Sequence, residues 1–137
     1  MSSVLERLTR AQNDHDAVSF ASYFTEGYRS EQPVHPGRAF TGREQVRENW
    51  TSVFAGVPDF RSELVASCRD GDVEWGEVHW WGHHVDGAVF EMRGVIIATI
   101  RDDRIAKARL FVDAVERSGS DIEAAVEQSY RPPPAEE

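Results

Sequence analysis

One cysteine, Cys68, stands in 137 residues. No disulfide can form within the chain, which fits a reducing cytoplasm. A nucleophilic role for that thiol would need a base or a positive field beside it. Arg69 is its only cation nearby in sequence, so a half-buried strand cysteine is the expectation. Long apolar runs are also missing. No stretch approaches the ~20 residues that a bilayer span requires, and the opening MSSVLERLTR carries Glu6, Arg7 and Arg10 where a signal peptide would be apolar. Positive charge is scarce. Fifteen Lys and Arg stand against 24 Asp and Glu, a formal net charge of −9, which argues against a nucleic-acid partner and an anionic membrane surface. The one dense basic stretch, Arg101 to Arg109, is broken by Asp102 and Asp103. GxxxxGK[ST], GxGxxG, HxH, HExxH and a nucleophile elbow are all absent. No cofactor and no metal are therefore expected.

What is present suits one soluble domain. Hydrophobic residues make up 40% and charged residues 28%, ordinary values for a globular chain, and this length buries roughly two-thirds of the unfolded surface without staples. Val4, Leu5, Leu8 and Ala11 recur at helical spacing. Asp16 is placed to cap a second helix over Ala17–Phe24, which Gly27 ends. Tyr28–Val34 reads as a short strand, followed by a loop forced by Pro33, Pro36 and Gly37. Thr41 and Glu44 have capping-box spacing at the start of a third helix, whose apolar face is Val46, Trp50, Val53 and Phe54.

From Phe60 onward the period changes. Phe60–Cys68, Val73–His84, Val89–Ile100 and Ile105–Val115 alternate as long strands, and Asp70-Gly71 and Asp86-Gly87 are strong hairpin signals. Helices followed by an antiparallel meander predict an α+β domain over residues 1–118. Residues 119–137 form a tail, helical over Ile122–Tyr130 and then proline-rich, acidic and flexible. Three short helices can close the concave face of a curved sheet and leave a pocket there. The other face then calls for a second copy of the chain, as a homodimer.

Several segments carry a family resemblance. Ser30-Glu31-Gln32-Pro33-Val34-His35-Pro36 leads to Phe40-Thr41-Gly42-Arg43 and Val46-Arg47-Glu48-Asn49-Trp50. Glu77-Val78-His79-Trp80-Trp81-Gly82, Phe90-Glu91-Met92-Arg93-Gly94-Val95 and Arg109-Leu110-Phe111-Val112-Asp113-Ala114-Val115-Glu116 follow. Together they resemble the SnoaL-like branch of the nuclear-transport-factor-2-like superfamily. The resemblance implies a cone: three N-terminal helices on a strongly curved antiparallel sheet, mixed at its edge, enclosing one pocket. It does not imply a single activity, because this fold hosts isomerases, polyketide cyclases, epoxide hydrolases, dehydratases and non-catalytic binders.

On the last strand Lys107, Arg109, Phe111, Asp113 and Val115 share one face, and Ala106, Ala108, Leu110, Val112 and Ala114 share the other. A carboxylate and a guanidinium around an aromatic are costly in a plain core, so the first face is expected to line the pocket. The resemblance implies that Asp113 is the pocket carboxylate serving as general acid or base. Ligand orientation and a structural ion pair with Arg109 are the two other roles open to it. Arg109, His79, Tyr23 and Tyr28 are candidate oxyanion donors, and His79 or His35 could shuttle a proton. Trp80 and Trp81 point to opposite faces. The expected ligand-binding set is Tyr23, His35, Trp50, Phe54, Trp81, Met92 and Phe111. Gly94 is expected at a bulge, and Arg93 is expected to pair with Glu77 or Glu91.

Two functions are weighed. One is a cofactor-independent isomerase, cyclase or dehydratase acting on a small apolar carbonyl compound through Asp113. The other is a non-catalytic ligand-binding or dimeric structural protein. A cavity of roughly 300 Å³ or more with Asp113 exposed to it is what the enzyme needs. An Asp113 tied into a salt bridge removes that reading.

Overall fold

The computed structural model describes residues 2–130 and 134. Helix α1 (Val4–Asn13) buries Val4, Leu5, Leu8 and Ala11, as their spacing predicts. Two of its free N-terminal N–H groups find acceptors. Ser3 Oγ accepts from Glu6 N, and the buried Glu74 carboxylate accepts from Leu5 N at 3.1 Å. A carboxylate there also meets the positive end of the helix dipole.

Asp16 caps α2 (Ala17–Ser22), its Oδ1 accepting from Ser19 N at 3.0 Å. The helix stops short of its predicted end, because Phe24 opens strand β1 (Phe24–Glu31) and Gly27 lies inside that strand. Phe20, Phe24 and Tyr28 have helical spacing and do touch in series, with ring centroids 5.3 and 4.7 Å apart. Backbone pairing overrides the pattern: Ile105 N donates to Tyr23 O, and Phe24 pairs with Ile105.

A 3₁₀ turn at Pro36–Arg38 and a two-residue strand β2 (Phe40–Thr41) lead into α3 (Arg43–Gly56). The expected capping box does not form. Thr41 pairs with Arg29 of β1, and Gly42, at φ 109°, takes the N-cap position without a side-chain acceptor.

Strands β3 (Arg61–Asp70), β4 (Val73–His83), β5 (Val89–Arg101) and β6 (Arg104–Ala114) form the meander, close to their predicted bounds. The sheet is curved and open, with order β2-β1-β6-β5-β4-β3. Only β1 with β6 is parallel, which makes the sheet mixed. Asp102 and Asp103, at φ 52° and 61°, form the two-residue turn between β5 and β6, a conformation that short polar side chains tolerate. Helix α4 (Ile122–Ser129) follows and leaves Ile122 and Val126 exposed. The predicted proline-rich acidic end falls on residues 131–133 and 135–137, outside the described residues. No helix among the described residues is long and apolar enough to cross a membrane.

The helices cover one face of the sheet. Val78 and Trp80 of β4, Ile96, Ala98 and Ile100 of β5, and Ala108 and Val112 of β6 are buried beneath them. Trp75, Glu77 and Trp81 of β4, and Lys107, Arg109, Phe111 and Asp113 of β6, are exposed on the outer face. This reverses the predicted facing of β6. The inner face receives Phe20 and Trp50 from the helices, with Trp50 packing on Trp80 at 5.2 Å. Arg109 and Asp113 keep their hydration by facing outward.

Three smaller expectations are corrected. Cys68 is exposed rather than half-buried. Arg93 stands opposite His79 and Asp113 in register, while Glu91 takes His79 and Arg117 as its partners. Gly94 marks a close approach rather than a bulge. A Cβ there would lie 1.9 Å from the Phe111 carbonyl oxygen, and the register shifts fall at Phe24/Arg29, Leu64/Ala66 and Thr99/Ile100.

Candidate functional site

Between the three helices and the inner sheet face lies a cavity of about 200 Å³. Helix α1 contributes Leu5, Leu8, Thr9 and Gln12 to its wall. Phe20 comes from α2, Phe24, Tyr28 and Ser30 from β1, Gln32 from the loop beyond, and Phe40 from β2. Helix α3 adds Val46, Asn49, Trp50 and Val53, and the other strands add Leu64, Val78, Trp80, Ile96, Ile105, Ala108 and Leu110. Trp50 is the hub of the aromatic packing. Its ring stands 4.7 Å from Phe20, 5.2 Å from Trp80 and 5.5 Å from Phe60.

Among the described residues the wall carries no Asp, Glu, His, Lys or Arg. Its one titratable side chain is Tyr28, which is buried. Burial pushes the phenol pKa up to about 12, with the Ser30 hydroxyl acting in the other direction. At neutral pH every group facing the cavity is therefore uncharged.

The polar wall groups differ in how far they are already engaged. The Thr9 hydroxyl donates to Leu5 O at 2.9 Å. Asn49 Oδ1 accepts from Gln45 Nε2 at 2.7 Å, and Gln32 Oε1 accepts from Arg38 Nη1 at 3.1 Å. Among the described residues the buried indole Nε1 of Trp80 finds no partner, and neither does Ser62 Oγ, on the residue directly opposite Trp80 in β3.

Of the expected catalytic and ligand-binding residues, Trp50 alone lies on the cavity wall, where the candidate donor Tyr28 joins it. Asp113 is on the outer face, its Oδ1 3.0 Å from His35 Nε2 and 3.8 Å from Arg38 Nη1. These partners replace the expected Arg109, which is itself exposed outside. His79 also lies on the outer face. Its Nε2 is 2.7 Å from Glu91 Oε2, and its ring lies against Trp81 at 4.7 Å. That hydrogen bond, with Arg117 adding to it, holds the Glu91 carboxyl below its usual pKa.

Trp81 and Phe111 are partly exposed outside. Tyr23 ends α2, with the Arg7 guanidinium 5.9 Å from its ring centre. Phe54 stacks on His15 at 5.1 Å. Met92 lines a separate surface recess with His84, Phe90 and Arg117. The cavity is thus smaller than the enzyme reading requires, and its expected carboxylate is salt-bridged elsewhere.

Sequence reasoning missed Trp80, Gln12, Ser30, Gln32 and Asn49, and placed Tyr28 only as a candidate donor. A signal was present on β4. The face of Gly76, Val78, Trp80 and Gly82 carries one charged residue, Glu74 at its start, which is spent on the N-terminus of α1, whereas the face of Trp75 and Trp81 carries Glu77 and His79 around its middle.

The family model described as a SnoaL-like domain matches residues 5–108. No curated protein matches the sequence. Solved structures share the fold at low identity. IdmH of Streptomyces antibioticus, a candidate polyketide cyclase, is 21% identical with a TM-score of 0.70, covering 80% of this chain and 89% of its own. A candidate SnoaL-like polyketide cyclase from Jannaschia sp. CCS1 is 19% identical with a TM-score of 0.68, covering 95% and 91%. A hypothetical protein of Catenulispora acidiphila with a ketosteroid isomerase-like fold, in complex with trimethylamine, is 15% identical with a TM-score of 0.70, covering 80% and 86%.

Proposed function

The chain belongs to the SnoaL-like domain family, and from that premise we propose that its cavity is a receptor for a small, uncharged, largely apolar molecule. The observation that carries this is the wall, which holds aromatic, aliphatic and neutral polar side chains and no ionised one. A charged ligand would lose its hydration there and meet no counter-charge. Proton transfer by a pocket carboxylate, the route expected of Asp113, finds no carboxylate on this wall. The cavity's about 200 Å³ suits a substituted single ring or a compact fused pair, since an apolar cavity of about 150 Å³ accepts benzene.

The test is a thermal-shift and calorimetric screen of size-matched compounds: neutral ketones, lactones and phenols against carboxylates and alkylammonium ions, trimethylamine included. Neutral compounds should bind, and a concentration ~100 times Kd should stabilise the fold by about 2.7 kcal/mol. Binding by charged compounds alone, or by none, would overturn the reading.

The outer face supports a second proposal, that it pairs with another copy of the chain. Cross-strand register sets Trp75 beside Ile97 and Val95 beside Phe111, and Trp75 and Phe111 are exposed by 41% and 37%. Glu63 and Glu77 lie on the β3–β4 half, and Arg93 and Arg109 on the β5–β6 half. Arg61 on the first half and Glu91 and Asp113 on the second mix the signs, and a two-fold axis along the strands between β4 and β5 would set the net-acidic half against the net-basic one.

A further inference from the structure

Helix α1 turns Val4, Leu5, Leu8, Ala11 and Gln12 into the protein. Four of these are apolar, and the last ends in a carboxamide. Gln12 is 3% exposed and lines the cavity. A buried amide without partners is costly, and nearly all buried polar groups have them. Among the described residues the Gln12 carboxamide makes no hydrogen bond, and, unlike the sealed indole of Trp80, its polar atoms keep accessible surface. With so little of the residue exposed, and with its helical neighbours Leu5, Leu8 and Thr9 on the same wall, that surface opens on the cavity.

The other neutral polar groups of the wall are engaged or reach water. Thr9 donates to Leu5 O, and the Tyr28 phenol has the Ser30 hydroxyl as its partner. Gln32 and Asn49 are bonded at one end to Arg38 and Gln45, and neither is buried. Gln12 is also set in place. Asn13 fastens this end of α1 to β3, with Ser62 N donating to Asn13 Oδ1 at 2.8 Å and Asn13 Nδ2 donating to Ser62 O at 2.9 Å. The amide is not needed to close the helix, because the Gln12 backbone carbonyl already accepts from His15 N at 3.0 Å.

A carboxamide presents an acceptor oxygen and a donor nitrogen on one edge. A hydrocarbon pairs neither, and a ketone pairs only the nitrogen. A carboxylate brings a charge to a wall that has none to answer it. An open-chain secondary amide is trans, so its N–H and C=O lie on opposite edges. A lactam ring forces them onto the same edge, where both meet the carboxamide at once. We infer that Gln12 is the polar anchor of the cavity, and that the ligand is a neutral ring compound with N–H and C=O side by side, a cyclic amide or imide. This assignment rests on the reading of the cavity as a receptor for uncharged molecules, and it adds the ligand's functional group and the side chain that recognises it.

The test uses three bicyclic probes of nearly equal shape: oxindole with N–H and C=O, 2-indanone with C=O alone, and indane with neither. Each is titrated into the ¹⁵N-labelled full-length wild type and into Gln12→Met, which keeps the length of the side chain and removes its amide. Comparing one probe between the two proteins cancels that probe's own hydration. Oxindole should bind Gln12→Met about tenfold more weakly, the size expected when buried hydrogen bonds to the ligand are lost. The loss should be smaller for 2-indanone and absent for indane. The Gln12 side-chain amide signals, identified through their own side-chain carbons, should move downfield when oxindole binds and stay in place with indane.

Oxindole affinity unchanged in Gln12→Met overturns the assignment and leaves the cavity reading standing. A loss as large for 2-indanone as for oxindole overturns the cyclic-amide class, because the carboxamide then only donates. Gln12 signals unmoved by bound oxindole also overturn the assignment, since water then satisfies the amide. Binding of none of the three probes removes the receptor reading and the assignment together. Should Gln12→Met fail to fold, the movement of the wild-type Gln12 signals decides alone.

Discussion

Asp113 Oδ1 lies 3.0 Å from His35 Nε2, a contact that spans 78 positions of sequence and sits outside the cavity. It ties the loop after β1 to the end of β6, with Arg38 3.8 Å from the same oxygen. The Asp113 side chain is 56% exposed, and exposed ion pairs contribute about 1 kcal/mol or less. Asp113→Asn should therefore lower stability by under about 1 kcal/mol in urea melts and leave the affinity for any cavity ligand within twofold. A large loss of binding in that variant would return Asp113 to the site.

Gly94 offers a sharper stability test. Its missing side chain is demanded by backbone, the Phe111 carbonyl at 1.9 Å and Val112 Cα at 2.6 Å from an added Cβ. Nothing flexible can give way there. Gly94→Ala should cost about 3 kcal/mol, the upper part of the overpacking range, or prevent folding. Gly27, also within a strand, has nothing within 4 Å of an added Cβ. Gly27→Ala should be neutral or stabilise by up to about 1 kcal/mol through the unfolded chain. Urea midpoints of the two variants decide the matter, and similar losses in both would show that β5 and β6 can separate at Gly94.

These two positions also show how far the sequence could be read. Hydrophobic period and Asp-Gly turns were enough for α1, α3 and the four meander strands, because local pattern and tertiary packing agree there. Phe24 departs from the expected helix, because Val18, Ala21 and Phe24 share a helical spacing while parallel pairing of β1 with β6 decides the outcome. The site failed for a different reason. Strand alternation shows which residues share a face and is silent on which face the helices cover. Asp113 and His79 both stand opposite Arg93, so the facing of β6 carries the facing of β4 with it. Packing of Trp50 from α3 on Trp80 of β4 belongs to the covered face, and that contact involves residues distant in sequence.

The outer face yields a prediction about assembly. If Trp75 and Phe111 meet a second copy, the wild type should sediment as a dimer at micromolar concentration. Phe111→Glu places a carboxylate in the centre of the patch. Truncating or charging a central aromatic typically costs at least about 2 kcal/mol of association, or roughly 30-fold in Kd. The variant should be monomeric at the same concentration, with its cavity affinity unchanged, since Phe111 is not on that wall. A monomeric wild type would sink the pairing proposal and leave the receptor reading untouched.

Acid stability depends in part on Glu91. Its pKa in the fold is below the ordinary 4.5, first because of the hydrogen bond with His79 and then because of Arg117. A carboxylate held low in the folded state binds fewer protons there than in the unfolded chain. Its contribution is therefore present above about pH 4.5 and is lost as the pH falls through the lower, folded value. Asp59, bound by His83, and Glu44, bound by Arg47, are shifted in the same direction. Their side chains are 54% and 66% exposed against 11% for Glu91, so solvent screens them more. Glu91→Gln should flatten the fall of the urea midpoint between pH 5 and 3 more than Asp59→Asn or Glu44→Gln does, and it should lower stability at pH 7. An acid limb in Glu91→Gln as steep as that of the wild type would show that the His79–Glu91 pair does not hold the proton off in solution.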